Sequence, residues 1–193
     1  MAEIKETYVD YKGFKTYCKI FEPENPAPGK KPLLVLHGGP GDCHNYLLTY
    51  GELADRAGRK VVFYDQIGCG KSMIPHQDDD FYNYDLWVDE FYTVRKALGL
   101  DDIHLFGNSW GGMLGMLCMM KDDSGVNSFV INSSPVRIQT WLKKCKMPLP
   151  KPNGQAITIP PKRKRHRTNT TNAMSSVSTK TNGLTSWPIL LPA

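Results

Sequence analysis

Short runs of consecutive apolar residues recur along the first two thirds of the chain. The runs are residues 33–36, 60–64, 103–106 and 126–131. Each is bounded by turn-forming residues, which is typical of strands that are buried on both faces of a sheet. Helices are predicted over the segments between these runs, at residues 44–57, 84–98 and 110–120. Strands that alternate with helices predict the α/β class with a mostly parallel sheet.

Two other patterns lie at the ends of this α/β region. Residues 7–21 contain two β-favouring runs around Lys12-Gly13 and predict an N-terminal hairpin. Residues 147–193 keep neither a strand nor a helix period and hold seven of the fourteen prolines. Such a composition buries too little apolar surface to offset the entropy lost on ordering. We therefore expect a folded region over residues 1–146 and a basic, Pro/Ser/Thr/Asn-rich disordered tail over residues 147–193.

Charge changes along the chain at about the same place. Residues 1–123 hold 13 Lys/Arg and all 19 Asp/Glu, for a net charge of −6. Residues 124–193 hold 11 Lys/Arg and no acidic residue, for a net charge of +11. The basic run at residues 162–167 is suited to nucleic-acid binding or nuclear import. Because it lacks nearby aromatic stacking partners, we do not expect nucleic acid to be a partner.

The rest of the composition argues for a cytoplasmic protein without a metal or cofactor. The first residues carry charges and no apolar segment, so no signal peptide is expected. The most apolar stretch, Met113 to Met120, is too short to span a membrane. Five cysteines without a CxxC pair indicate reduced thiols. His76 with Asp78 to Asp80 is the nearest approach to a metal-ligand cluster, and we interpret it as a solvated acidic loop.

The strongest chemical signal is the sequence Gly107-Asn108-Ser109-Trp110-Gly111. A G-x-S-x-G motif between a buried strand and a helix is the nucleophile elbow of a serine hydrolase. There Ser109 would be the nucleophile, and the backbone N–H of Trp110 would face a developing oxyanion. The alternative is a serine in a glycine-rich turn that binds a phosphate or caps the helix.

A second glycine-rich loop, residues 37–41 (HGGPG), follows the first buried strand. An oxyanion hole needs a second backbone N–H from a loop of this kind. Glycines let backbone amides approach a ligand closely. We predict that Gly39, rather than Gly38, supplies this donor. His37 is predicted to shape the loop and not to be the catalytic base.

Residues 65–72, DQIGCGKS, resemble a phosphate-binding loop only in part. A P-loop needs glycine where this chain has Asp65, and the dinucleotide fingerprint needs glycine where it has Met73. Nucleotide binding is therefore not predicted.

Together, the HGGPG loop, the DQ-x-G-x-G-x-S segment and the GNSWGG elbow resemble the proline iminopeptidase (prolyl aminopeptidase) family of serine peptidases, in order and approximate spacing. The resemblance covers about residues 5–145. It implies an α/β-hydrolase fold and removal of an N-terminal residue, often proline, from a peptide or an amino-acid amide. It also implies Ser109 as nucleophile, with Gly39 and Trp110 forming the oxyanion hole.

The chain departs from this family after the elbow. The catalytic acid and histidine of the fold follow the serine in sequence. Here only Asp122 and Asp123 follow Ser109, at the far end of the predicted elbow helix, and the only downstream histidine is His166 in the basic run. We therefore expect an incomplete triad.

A truncated or frameshifted α/β-hydrolase would explain this pattern. It would lack the full cap and the last strands, and residues 137–146 would resemble the first cap helix. Two alternatives to an enzyme remain. One is an inactive fragment with an exposed sheet edge at residues 126–131, and the other is a nucleic-acid binder that uses the basic tail.

Overall fold

The computed structural model describes residues 1–78 and 81–135, and these residues form one six-stranded mixed sheet. Its strands are β1 (Glu3–Tyr11), β2 (Phe14–Glu22), β3 (Leu33–Leu36), β4 (Val61–Tyr64), β5 (Ile103–Asn108) and β6 (Val126–Asn132). The α-helices are α1 (Leu53–Ala57), α2 (Tyr84–Ala97) and α3 (Trp110–Lys121). Two 3-10 helices span His44–Glu52 and Gly70–Ser72.

The strand order is β1-β2-β4-β3-β5-β6. The hairpin strand β1 pairs antiparallel with β2, and β2 pairs antiparallel with β4. All other neighbours are parallel: β3 with β4, β3 with β5, and β5 with β6. The predicted α/β class with an N-terminal hairpin is therefore confirmed. In this order the loops that follow β3, β4 and β5 meet at the carboxyl edge of the sheet.

Every residue of β3 and β4 is buried, which explains why these strands are continuous apolar runs. Helices α2 and α3 cover one face of the sheet, where Phe91 and Leu114 are fully buried. The His44–Glu52 segment covers the other face, where Leu47 packs in one cluster with Phe63 and Phe106. No helix within residues 1–78 and 81–135 is long and apolar enough to cross a membrane.

The predicted helix over residues 44–57 is present, but most of it is a 3-10 helix. Residues 44–57 form a nine-residue 3-10 helix over His44–Glu52, and only Leu53–Ala57 are α-helical. The segment contains Asn, Tyr, Thr and Gly, which are weaker α-helix formers than Ala or Leu. Gly51 of this segment also packs against the ring of Phe21, so closely that an added Cβ would lie 2.7 Å from the Phe21 Cε1 atom.

Several predictions lie outside the described residues. These are the cap-like helix at residues 137–146, the disordered tail at 147–193 and the position of His166.

Glu90 is a carboxyl group in the core that the periodicity of α2 does not reveal. Its side chain is fully buried. Its Oε1 accepts a hydrogen bond from the Thr16 hydroxyl at 2.6 Å, and both its oxygens lie about 3 Å from the Ile67 backbone N–H. Burial raises the pKa of Glu90 to about 8, although these hydrogen bonds act in the opposite direction. The carboxyl therefore ties β2, α2 and the loop after β4 together, mainly in its neutral form.

We predict that the stability of this chain falls as the pH rises from about 4.5 to about 8. The pKa of Glu90 is higher in the folded state than in the unfolded chain. Folding therefore favours the protonated form of Glu90. The stabilising contribution of this form is complete below the pKa of Glu90 in the unfolded chain, and it is lost as the pH rises through the pKa of Glu90 in the folded state. Glu90→Gln, which mimics the neutral acid, should remove most of this slope in thermal melts between pH 5 and pH 8. The exposed control Glu3→Gln should keep the slope, and an unchanged slope in Glu90→Gln would contradict the assignment.

Candidate active site

Ser109 lies in a sharp turn between β5 and α3. Its backbone has φ +51° and ψ −116°, a strained conformation for a residue with a side chain. The turn is possible because glycines flank it. A Cβ on Gly107 would lie 2.5 Å from the Gly111 carbonyl oxygen, and one on Gly111 would collide with the Leu36 carbonyl. This geometry is that of the strand–turn–helix elbow predicted from the motif.

The loop after β3 lies directly beside Ser109. A Cβ on Gly38 would come within 3.2 Å of the Ser109 Cβ atom. The next residue, Gly39, has φ +121°, and a Cβ there would lie 2.7 Å from the Gly41 nitrogen. Both positions therefore require glycine, for close approach at Gly38 and for backbone conformation at Gly39.

His37 is a buried part of this loop. Its Nε2 accepts a hydrogen bond from the Gln66 backbone N–H at 3.0 Å, so the ring proton lies on Nδ1. Nδ1 donates to the Gly38 carbonyl oxygen at 2.8 Å. Burial lowers the pKa of His37, which favours this neutral ring. These contacts agree with the predicted structural role of His37, because neither nitrogen is left to act as a base.

The His37 contact also orients the next backbone amide. In a trans peptide the C=O and N–H bonds point in opposite directions. The Gly38 carbonyl points to the His37 ring, so the N–H of Gly39 points away from it. Within the described residues, neither Gly39 N–H nor the N–H of Trp110, the first residue of α3, has a hydrogen-bond partner. Gly38 N–H differs, since it donates to the Tyr46 hydroxyl at 2.6 Å.

Gln66 joins the two glycine-rich motifs. Its side-chain Nε2 donates to the His37 carbonyl oxygen at 3.0 Å, and its Oε1 accepts from the Trp110 indole Nε1 at 2.8 Å. All three side chains are buried. Trp110 also packs edge-on against Trp87, with ring centroids 5.2 Å apart. The ends of β3, β4 and β5 are thus connected through one amide side chain.

The segment that resembled a P-loop has a structural role that the sequence reasoning missed. The Asp65 Oδ1 atom accepts hydrogen bonds from the backbone N–H and the Nδ1 of His44, at 2.9 and 2.7 Å. Its Oδ2 accepts from the Lys71 backbone N–H at 2.8 Å. A Cβ on Gly70 would collide with this carboxylate. The Asp-x-x-x-x-Gly spacing was the available signal, because a buried acid needs a closely approaching loop to satisfy it.

Within residues 1–78 and 81–135, no carboxylate or histidine side chain is hydrogen-bonded to the Ser109 side chain. Asp122 directly follows α3, twelve residues after the first helical residue, Trp110, and so about 18 Å along the helix axis from the start of the helix. The Asp122 carboxylate instead accepts from the Ser124 backbone N–H at 3.0 Å. In the described ranges no histidine is hydrogen-bonded to Ser109, and His44 is engaged by Asp65. The same part of the chain holds no group of three His, Cys, Asp or Glu residues that could bind a metal.

Comparison with known proteins agrees with this geometry. Residues 31–179 match the family model of the alpha/beta hydrolase fold. The chain belongs to the α/β-hydrolase family. The match extends past residue 146, the expected boundary of the folded region.

Within this family, the chain is similar to several proline iminopeptidases. It is 42% identical over 143 residues to the enzyme of Lactobacillus delbrueckii subsp. bulgaricus and 43% identical over 145 residues to that of Clostridioides difficile. These matches cover 73% and 75% of this chain and 48% of each relative. The crystal structure of the Mycobacterium smegmatis proline iminopeptidase superposes with a TM-score of 0.69 and 39% identity, over 75% of this chain and 50% of that one. The chain thus spans about half the length of these relatives.

We predict that Gln66→Leu destabilises the protein by about 2–4 kcal/mol, because it leaves the Trp110 indole N–H and the His37 carbonyl buried without partners. Urea unfolding followed by tryptophan fluorescence measures the change. Gln77→Leu is the matched control, since among the residues the structure describes the Gln77 amide bonds only to the Pro75 carbonyl two residues away. A loss below 0.5 kcal/mol in Gln66→Leu would show that the three loops do not depend on this side chain.

Proposed function

We propose that this fold carries the serine-hydrolase site of a proline iminopeptidase, which removes an N-terminal residue from a peptide or an amino-acid amide. The observation that carries the proposal is the elbow at Ser109 with the Gly38-Gly39 loop packed against it. A glycine-flanked serine with φ +51° is strained, and strain of this kind is retained mainly at functional sites. The proline iminopeptidases that match over most of this chain support the substrate class.

In the proposed mechanism the Ser109 hydroxyl attacks the carbonyl carbon of the N-terminal residue. The new C–O bond forms as the carbonyl becomes an oxyanion, and the amine then leaves with a proton. The backbone N–H groups of Gly39 and Trp110 are the proposed donors to that oxyanion. A single such donor is worth about 3–4 kcal/mol of transition-state stabilisation. Water then hydrolyses the acyl-serine ester and restores Ser109.

We also propose that the acid and the base that this mechanism needs are not among residues 1–193. No Asp or Glu follows Asp123, and His166 is the only histidine after Ser109. The absence of acidic residues after Asp123 and the loss of apolar periodicity after residue 146 support a frameshifted form, although the family match continues to residue 179. The encoding nucleotide sequence tests this origin. Another frame just downstream should encode a cap, an acid and a histidine, and its absence would contradict a frameshift.

A cytoplasmic location is part of the same proposal. The cysteines in the described part of the chain, Cys18, Cys43, Cys69 and Cys118, are free thiols. Free and mostly buried thiols are typical of reducing compartments.

A second candidate is a non-catalytic fragment that associates through its sheet edge. Within the described residues, β6 has no neighbour on the side away from β5. Val130 and Ile131 of this strand are about half exposed, and β6 contains no charged residue. Uncharged, apolar edges favour association with other chains. A catalytic assay that supplies the missing half of the enzyme separates the two candidates.

We predict that a chimera of residues 1–135 with the remaining C-terminal part of the Lactobacillus delbrueckii relative hydrolyses proline amides. The chimera would regain an acid and a base, so its rate should exceed that of the 193-residue chain by at least about a thousandfold. Release of the amine from a chromogenic proline anilide measures both rates.

Two variants of the chimera control this experiment. Ser109→Ala should return the rate to that of the 193-residue chain, whereas Ser124→Ala, at an exposed loop serine, should leave it unchanged. A folded chimera without activity would favour the non-catalytic fragment. Activity that survives Ser109→Ala would remove Ser109 from the mechanism.

A further inference from the structure

Tyr46 lies in the 3-10 helix after the HGGPG loop and reaches back to the elbow. Its hydroxyl oxygen accepts a hydrogen bond from the Gly38 backbone N–H at 2.6 Å. The same hydroxyl donates to the Asn108 side-chain Oδ1 at 2.8 Å. Gly38 and Asn108 belong to the two loops that contain Gly39 and Ser109. One phenol group therefore connects the proposed oxyanion donor loop to the residue before the nucleophile.

The direction of each proton in this connection is fixed by its neighbours. A backbone N–H can only donate, so the Tyr46 oxygen is the acceptor toward Gly38. The Asn108 Nδ2 group donates to the Asn132 Oδ1 at 2.8 Å, which leaves the Asn108 Oδ1 as the acceptor for Tyr46. Burial also raises the pKa of Tyr46, so the hydroxyl keeps the proton it donates at neutral pH.

The hydrogen bonds thus form a chain from the β3 loop across the elbow to the end of β6. The Ser109 backbone N–H adds a parallel link, since it donates to the Asn132 carbonyl oxygen at 2.9 Å. Gly38 is held on both sides, by Tyr46 at its N–H and by His37 at its carbonyl oxygen. The Gly39 N–H that follows remains without a partner among the described residues.

We propose that Tyr46 is a positioning residue that holds the Gly38-Gly39 loop in register with Ser109, so that the Gly39 and Trp110 amides point at one oxyanion. This inference rests on the proposed function of Ser109. Tyr46 is 47% exposed, so its contribution to the apolar core is small. Its hydroxyl makes two hydrogen bonds, and both go to residues next to the site. Tyr46→Phe therefore removes the link without opening a cavity.

The first test measures amide hydrogen exchange by NMR in the full 193-residue chain. In Tyr46→Phe the Gly38 amide should exchange about tenfold faster, because it loses its acceptor, while the Leu36 amide in β3 should not change. Tyr8→Phe is the matched control, since Tyr8 is a half-exposed tyrosine on the edge strand β1. Unchanged exchange at Gly38 would overturn the proposal.

The second test measures phosphonylation of Ser109 by a fluorophosphonate probe, read by mass spectrometry, in the chimera of residues 1–135 with the C-terminal part of the Lactobacillus delbrueckii relative, because the chimera supplies a base. In Tyr46→Phe the maximal labelling rate should fall about tenfold, which is less than the loss of a complete oxyanion donor. The probe concentration for half-maximal rate should change less than about twofold, because Tyr46 acts on the transition state and not on probe binding. Tyr8→Phe should match the parent chimera in both quantities.

Each outcome has one meaning. Labelling that slows together with faster Gly38 exchange supports positioning. Faster Gly38 exchange with parental labelling would assign Tyr46 to loop structure alone and overturn the proposal. A parent chimera that folds but is never labelled at Ser109 would contradict the proposed function, and the role of Tyr46 would be rejected with it.

Discussion

The geometry around Ser109 depends on one buried amide, the side chain of Gln66. It donates to the His37 carbonyl and accepts from the Trp110 indole, while its backbone N–H fixes the proton position on the His37 ring. Through these three hydrogen bonds the loops after β3, β4 and β5 become one unit. Because buried polar groups are costly when unpaired, the three loops are stable mainly in this mutual arrangement. The strand order places the loops side by side, and Gln66 decides how they are oriented.

The close approach of the loops to one another is the second constraint, and it explains why glycine occupies several positions around Ser109. Gly111 allows the elbow to press on the carbonyl of Leu36, and Gly38 allows the β3 loop to lie against Ser109. Asp65, at the end of β4, has a similar role. Its carboxylate accepts hydrogen bonds from the backbone N–H groups of His44 and Lys71 and so holds their loops close together. The site is therefore made from backbone groups held by buried side chains. This is the type of preorganisation that stabilises an oxyanion without reorganisation at the moment of reaction.

The fold could be predicted from the sequence where periodicity is strong. The apolar runs located β3 to β6 within two residues, and the glycine spacing located the elbow at Ser109. The helix over residues 44–57 was predicted, but its 3-10 form was not, because tertiary packing such as that of Gly51 on Phe21 is not visible in the sequence. Glu90 was missed because a charged residue on a helix normally faces solvent, whereas here Thr16 and Ile67 satisfy it inside the core. Tyr46 was missed because its partners come together only in the folded chain.

The central claim is that the Gly39 and Trp110 amides converge on an oxyanion formed at Ser109. A crystal structure of the full chain with Ser109 covalently phosphonylated tests it most directly. We predict that one phosphonyl oxygen lies about 2.7–3.1 Å from both backbone nitrogens, with Ser109 still at positive φ. An adduct whose oxygens contact neither amide, or a Ser109 that relaxes to negative φ, would contradict it.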